Sequence, residues 1–161
     1  TRAIKSLSND DIAELQRGGG WGLAKAAELN GVPGPAHLLV LKEAIALSPD
    51  QVVAIEAIHG KMKEAAIVEG ERLIALEREL DAQFRNRTVT DASLRQVLAK
   101  IAESRRSLAY IHLSAHLTTP PLLRQEQIEH YSRLRGYAGS PCAAAPAGHD
   151  PAMWRKHNGC D

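Results

Sequence analysis

Apolar residues recur at steps of three and four over two long stretches of the chain, which is the pattern of amphipathic helices. The first stretch, residues 50–86, contains no proline, and its apolar stripe consists of Ile55, Ile58, Met62, Ala65, Leu73, Leu76, Leu80 and Phe84. The second stretch runs from Thr90 to about Leu117. Residues 86–89 are suited to a turn between them, so the sequence predicts a long antiparallel helical hairpin in an all-α fold.

Residues that favour helix starts support these boundaries. Ser48 is suited to cap the first long helix, Pro49 to occupy its first position, and Gln51 to complete a capping box. Thr90 is suited to cap the second long helix. The remaining pattern predicts short helices over residues 8–16, 35–46 and 122–134, and a loop over residues 21–35.

The pattern divides the chain into three segments. Residues 1–34 hold a short helix and a loop rich in Gly and Pro, and residues 35–137 hold the helical hairpin. Residues 138–161 are rich in Ala, Gly, Pro and Ser, so we expect a flexible tail. A long, thin hairpin cannot cover its apolar stripe with one short helix on each side, so we expect a homodimer.

Composition excludes several classes of function. Lys and Arg total 20 and Asp and Glu total 19, so the net charge of +1 creates no field that would attract nucleic acid. No apolar run approaches the ~20 residues needed to span a bilayer. The sequence has no Gly-rich phosphate loop after a strand, no nucleophile elbow and no paired carboxylates in a cleft pattern. We therefore expect no enzymatic activity.

Histidines offer the clearest chemistry in the sequence. His112 and His116 are four residues apart, so their imidazoles lie on one helix face, as a metal-binding pair requires. If the turn is centred near residue 88, His59 on the first arm faces about position 117 on the second. His37 or Glu43, on the preceding helix, could complete a site of three or four ligands. The alternative is that His59 and His116 are solvated surface residues and His112 is a core histidine.

The tail contains a second set of candidate ligands. His149, Met153, His157 and Cys160 are spaced by four, four and three residues, so a helical tail would align them along one stripe. Imidazole, thioether and thiolate together suit Cu(I). A disordered tail or a disulfide between Cys142 and Cys160 is the favoured alternative, because no core holds this segment.

Two short motifs carry a resemblance to a known family. The segment Leu47-Ser-Pro-Asp-Gln51 precedes the hairpin, and Leu123-Arg-Gln-Glu-Gln127 follows it. They resemble the paired LTxxQ motifs of the Spy/CpxP family and its metal-sensing relatives of the CnrX and ZraP type. Ser48 replaces Thr, and the second motif keeps only Leu and Gln. The resemblance covers roughly residues 35–137.

The resemblance implies a periplasmic, non-catalytic protein that forms an intertwined dimer. In CnrX-like sensors a histidine and a methionine four residues apart bind the metal, and this pair corresponds to His112 and His116 here. The sensor's carboxylate ligand falls near His59, and His37 corresponds loosely to the histidines before the hairpin. A site this rich in imidazole accepts Cu, Zn, Ni or Co.

Two functional hypotheses follow. The first is a periplasmic metal sensor or heavy-metal resistance protein, whose partner would be a membrane-bound sensor kinase or an anti-sigma factor. The second is a Spy- or CpxP-like chaperone or stress-response adaptor that holds unfolded client proteins and needs no metal.

Overall fold

The computed structural model describes residues 2–137, 142, 150–157 and 160, except for the side chain of His157. The α-helices in this part of the chain are α1 (Asn9–Gln16), α2 (Lys25–Glu28), α3 (Pro35–Val40), α4 (Pro49–Arg85), α5 (Asp91–Thr118), α6 (Gln125–Leu134) and α7 (Pro151–His157). A 3-10 turn covers Pro120–Leu122. The long helices α4 and α5 pack against each other, which confirms the predicted all-α hairpin with short flanking helices.

The chain divides into two compact units. The first unit comprises Thr1–Ala24 and Gly60–Ser114, and the second comprises Lys25–His59 and Ala115–Asp161. Both long helices therefore contribute residues to both units. The units do not follow the three linear segments inferred from the sequence, because each one combines segments that are far apart along the chain.

The first unit has an aliphatic core, to which the N-terminal segment is attached. The core residues are Ile4, Leu7, Leu15, Leu73, Ile74, Leu76, Val97, Ile101 and Leu108. Buried Glu77 accepts a hydrogen bond from Ser6 Oγ at 2.7 Å and forms an ion pair with Arg105 at 2.9 Å. At the start of α1, hydrogen bonds from Ser8 and Trp21 lower the pKa of Asp11 to about 2. Polar contacts thus reinforce the apolar packing of the N-terminal segment.

The second unit has a smaller core, built from Leu38, Ile45, Ile55 and Tyr131. The predicted helix over residues 35–46 is shorter than expected: α3 ends at Val40, and turns lead on to Ala46. Ala46 has a φ of 56°, in the left-handed region that non-glycine residues rarely adopt. Its carbonyl accepts a hydrogen bond from Gln127 Nε2 at 3.3 Å, so a tertiary contact accompanies the unfavourable backbone conformation. The predicted loop over residues 21–35 contains one helical turn, α2.

The glutamines of the two LTxxQ-like motifs bind each other. Gln51 Nε2 donates to Gln127 Oε1 at 2.8 Å, and Gln127 Nε2 donates to Gln51 Oε1 at 3.0 Å. Each side-chain oxygen also accepts the backbone N–H at the start of its own helix, from Ser48 and Arg124 respectively, both at 2.9 Å. Each amide nitrogen makes a further bond to a carbonyl, Gln51 to Leu122 and Gln127 to Ala46. Both amides therefore use all their hydrogen-bonding positions.

This arrangement predicts that replacing Gln127 strongly destabilises the protein, whereas replacing the nearby Gln125 does not. Gln127→Ala should lower the free energy of unfolding by about 2–4 kcal/mol, because it removes a helix cap and leaves the Gln51 amide unsatisfied. Gln125→Ala, on the exposed face of the same helix, should change it by less than about 0.5 kcal/mol. Urea denaturation measures both values. Equal effects for the two variants would contradict a structural role for the glutamine pair.

Candidate metal-binding residues

The structure places the four predicted histidine ligands on three helices. His37 lies on α3, His59 on α4, and His112 and His116 on α5. His112 and His116 are buried, and His37 and His59 are half-buried. His112 belongs to the first unit and the other three belong to the second. The burial of His116 excludes the alternative that it is a solvated surface residue.

The ring of His116 is held in a defined orientation. Its Nδ1 lies 2.8 Å from the carbonyl oxygen of Val32. Because a carbonyl oxygen can only accept, Nδ1 donates its proton there, and in the neutral ring Nε2 carries the lone pair. A lone pair at Nε2 is what a histidine presents to a metal ion.

Gly34 provides the space that the His116 ring occupies. A Cβ atom at Gly34 would lie 2.4 Å from Nε2 and 2.5 Å from Cε1 of that ring. Cβ atoms in proteins essentially never make contacts this short, so a side chain at Gly34 would displace the imidazole. Gly34 is buried between Pro33 and Pro35, which are also buried, so this stretch has little freedom to move away.

A carboxylate accompanies His37. Glu28 Oε1, at the end of α2, lies 3.4 Å from His37 Nδ1. The interaction with His37 lowers the pKa of Glu28 against the opposing effect of partial burial. The charge of Arg135 lowers it further, as do His37 and His116 in their protonated forms. Glu28, His37, His116 and Arg135 therefore share one polar region of the second unit.

The predicted ligands do not form a ready-made metal centre. In the described part of the chain, no group of three or more His, Cys, Asp or Glu side chains could hold a metal ion. Two of the candidates, His37 and His116, each have Nδ1 next to an oxygen atom. Transition-metal sites in proteins generally use at least three protein ligands. The residues of the second unit thus provide oriented imidazoles but not a complete coordination shell.

The tail ligand set needs one correction. The sequence offers Cys160 as a thiolate ligand, but its sulfur forms a disulfide with Cys142, which is part of the alternative that the sequence favours. A sulfur in a disulfide is not a thiolate and cannot ligate a metal in that form. Met153 is exposed on α7. His149 and the side chain of His157 lie outside the described residues.

The sequence pattern does not identify Glu28, Val32 or Gly34 as part of the site. It predicts a loop for residues 32–34, and nothing in it links Glu28 to a histidine. The Pro-Gly-Pro stretch was the one available indication, because a rigid turn with a single glycine favours close approach by another group. Glu43, an alternative fourth ligand, lines an exposed groove instead, with Lys42, Leu47, Pro49, Val52 and Val53.

No family model, curated protein or solved structure matches this chain. No helix in the described ranges combines the length and apolar character needed to cross a membrane. The described residues form an all-helical protein whose candidate histidines are buried or half-buried, with the His116 ring oriented by its hydrogen bond to Val32.

The close packing of Gly34 against the His116 ring can be tested with a pair of glycine variants. Gly34→Ala should lower the free energy of unfolding by about 1–3 kcal/mol, because the new methyl group collides with the His116 ring. Gly60→Ala, within α4, meets no atom within 4 Å and should stabilise the protein by about 0.5–1 kcal/mol through helix propensity. Thermal or urea denaturation compares them. Stabilisation by both substitutions would show that His116 is not packed against Gly34.

Proposed function

We propose that this protein is a periplasmic transition-metal sensor or heavy-metal resistance protein that binds Cu, Zn, Ni or Co through histidines. The observation that carries the proposal is the His116 ring, whose Nδ1 is bonded to the Val32 carbonyl so that Nε2 holds the lone pair. Histidines that bind metals usually donate their second ring N–H to a carbonyl or a carboxylate. His37, beside the Glu28 carboxylate, follows the same rule.

The incomplete ligand set suits a sensor better than a storage site. Tight binding requires at least one more ligand to join His37 and His116, and His59, in the same unit, is the predicted one. A metal shifts a conformational equilibrium only if it binds one arrangement better than the other. A site completed by movement therefore couples metal binding to a change in shape that a membrane-bound sensor kinase or an anti-sigma factor could recognise.

The disulfide supports the proposed location. Cys142 and Cys160 are bonded to each other, and such bonds persist in oxidising compartments such as the bacterial periplasm. The LTxxQ-like motifs support the same location through their resemblance to periplasmic proteins.

Metal titration by calorimetry tests the proposal directly. His116→Ala should weaken binding of the best of Cu(II), Zn(II), Ni(II) and Co(II) by at least about tenfold, because it removes the oriented donor. His130→Ala is the matched control: His130 is a half-buried histidine on α6 and is not a predicted ligand. Circular dichroism establishes that both variants are folded. Equal affinities for His116→Ala and His130→Ala would overturn the proposal.

The second candidate function is a Spy- or CpxP-like chaperone or adaptor. It is favoured by the large apolar side chains that remain exposed, among them Val40, Val53, Val68, Tyr110 and Leu117. Unfolded client proteins would bind such side chains through their own apolar residues. This function becomes the better account if no metal binds tightly and the protein still suppresses client aggregation in the presence of a chelator.

We also propose that the protein forms a homodimer through the second unit. An open groove of about 370 Å³ is lined by Lys42, Glu43, Leu47, Pro49, Val52 and Val53, and Val53 is 67% exposed. Lys42 and Glu43 carry opposite charges next to each other. A two-fold axis can therefore pair the lysine of one copy with the glutamate of the other.

Sedimentation equilibrium checks this dimer. Val53→Asp should shift the protein toward monomer by at least about tenfold in dissociation constant, because a carboxylate would be buried in an apolar contact. Val68→Asp alters a similarly exposed valine (73%) on the same helix, away from the groove, and should leave the mass unchanged. A monomeric parent protein, or equal effects of the two variants, would contradict the groove as the interface.

A further inference from the structure

We propose that Tyr131 and Arg135 form a buried carboxylate-binding pair, and that its ligand is the side chain of Glu28. Glu28 would then have two alternative positions, one beside His37 and one on this pair. The inference goes beyond the proposed metal site, because the exchange needs no metal ion.

The two donors lie on one side of α6, Tyr131 within the helix and Arg135 at its C-cap. Tyr131 and Arg135 are four residues apart, so their side chains lie on the same side of the helix. Tyr131 is fully buried, and within the described part of the chain neither its O–H nor the buried Nε of Arg135 has an acceptor in hydrogen-bond geometry. The guanidinium of Arg135 lies close enough to the Tyr131 hydroxyl to act on its pKa, so the two groups are neighbours. The rest of the guanidinium is fixed by Tyr137, whose hydroxyl accepts from Nη2 at 3.1 Å and whose ring lies 5.5 Å away.

The chemistry of these donors specifies the ligand. A phenol O–H and a guanidinium N–H both require an acceptor, and an arginine favours one that carries negative charge. A carboxylate has two oxygens and can accept from both donors at once. Buried donors rarely remain unsatisfied in proteins, so their presence side by side indicates that they have a partner in another arrangement.

Glu28 is the carboxylate that shares their surroundings. The turn that follows α2 lies against α6 beside this pair, because a Cβ atom at Gly31 would lie 3.1 Å from Ser132 Oγ. The charge of Arg135 lowers the pKa of Glu28, and the charge of Glu28 contributes to the raised pKa of Tyr131, about 12, which is caused mainly by burial. The contact of Glu28 with His37, at 3.4 Å, is long compared with the ~2.7–2.9 Å typical of charge-assisted hydrogen bonds. The contact with His37 is therefore longer than a strong ion pair, and the Tyr131–Arg135 pair offers the carboxylate a second binding position in the same unit.

Competition for a single carboxylate has a distinct energetic signature. If His37 and the Tyr131–Arg135 pair compete for Glu28, removing one binding partner makes the other contribute more to the free energy of unfolding. The loss of both partners should then lower the free energy of unfolding by more than the sum of the two single effects. Contacts that merely stabilise the fold independently would give additive effects.

A double-mutant cycle in the presence of chelator tests the exchange. The unfolding equilibrium constant of the His37→Ala, Tyr131→Phe variant should exceed the product of the two single effects by at least about fivefold. In a Glu28→Gln background the effects should multiply within about twofold. A control cycle that uses Tyr110→Phe in place of Tyr131→Phe should also give multiplicative effects, because Tyr110 is an exposed tyrosine on α5. Multiplicative behaviour with Glu28 present, or equal coupling in the Glu28→Gln background, would overturn the proposal.

A crystal structure of the His37→Ala variant gives a second, direct readout. It should show the Glu28 carboxylate within hydrogen-bond distance of Tyr131 Oη and Arg135 Nε. A Glu28 side chain that stays away from both donors would overturn the proposal. If His37→Ala does not fold, the milder His37→Gln variant provides the same readout. Because no metal is present, a failure here is distinct from a failure of the metal titration.

Discussion

The reciprocal hydrogen bonds between Gln51 and Gln127 hold the second unit together. They join the start of α4 to the start of α6, two points separated by 76 residues of chain. Each glutamine also caps its own helix, so the same side chain satisfies a backbone N–H at the helix start and binds the other glutamine. The leucines four residues earlier, Leu47 and Leu123, pack against the core of this unit. The spacing of leucine and glutamine thus combines burial, capping and cross-linking in one short motif.

Local signals predicted those parts of the fold that depend on nearby residues. The starts of α4 and α5 follow from side chains that bond to the backbone three residues away, as at Ser48 and Thr90. The left-handed conformation of Ala46 could not be predicted, because it accompanies a bond from Gln127, far along the chain. Phe84 completes the apolar stripe of α4 in the sequence and yet is 56% exposed. Helical periodicity identifies a face but does not show how far along that face the core extends.

The candidate site shows the same limit. Spacing placed His112 and His116 on one face of α5, but it could not show that a carbonyl from Val32 would hold the His116 ring. That contact joins residues 84 apart, and it depends on the missing side chain of Gly34. Glu28 could not be linked to His37 because their contact, too, depends on the tertiary structure. Identifying a possible ligand requires only residue type and spacing, whereas identifying its protonation and orientation requires the tertiary structure.

The second unit contains two polar clusters with opposite properties. In the glutamine pair every donor and acceptor has a partner, so any displacement breaks several bonds at once and the junction resists change. Around Tyr131 and Arg135 two buried donors lack acceptors among the residues that the structure describes, and Glu28 makes a long contact of 3.4 Å with His37. With the exchange proposed for Glu28, this cluster has two arrangements, which is what a responsive site requires. The saturated glutamine junction in the same unit would then let the histidine region rearrange while the helices that carry it keep their packing.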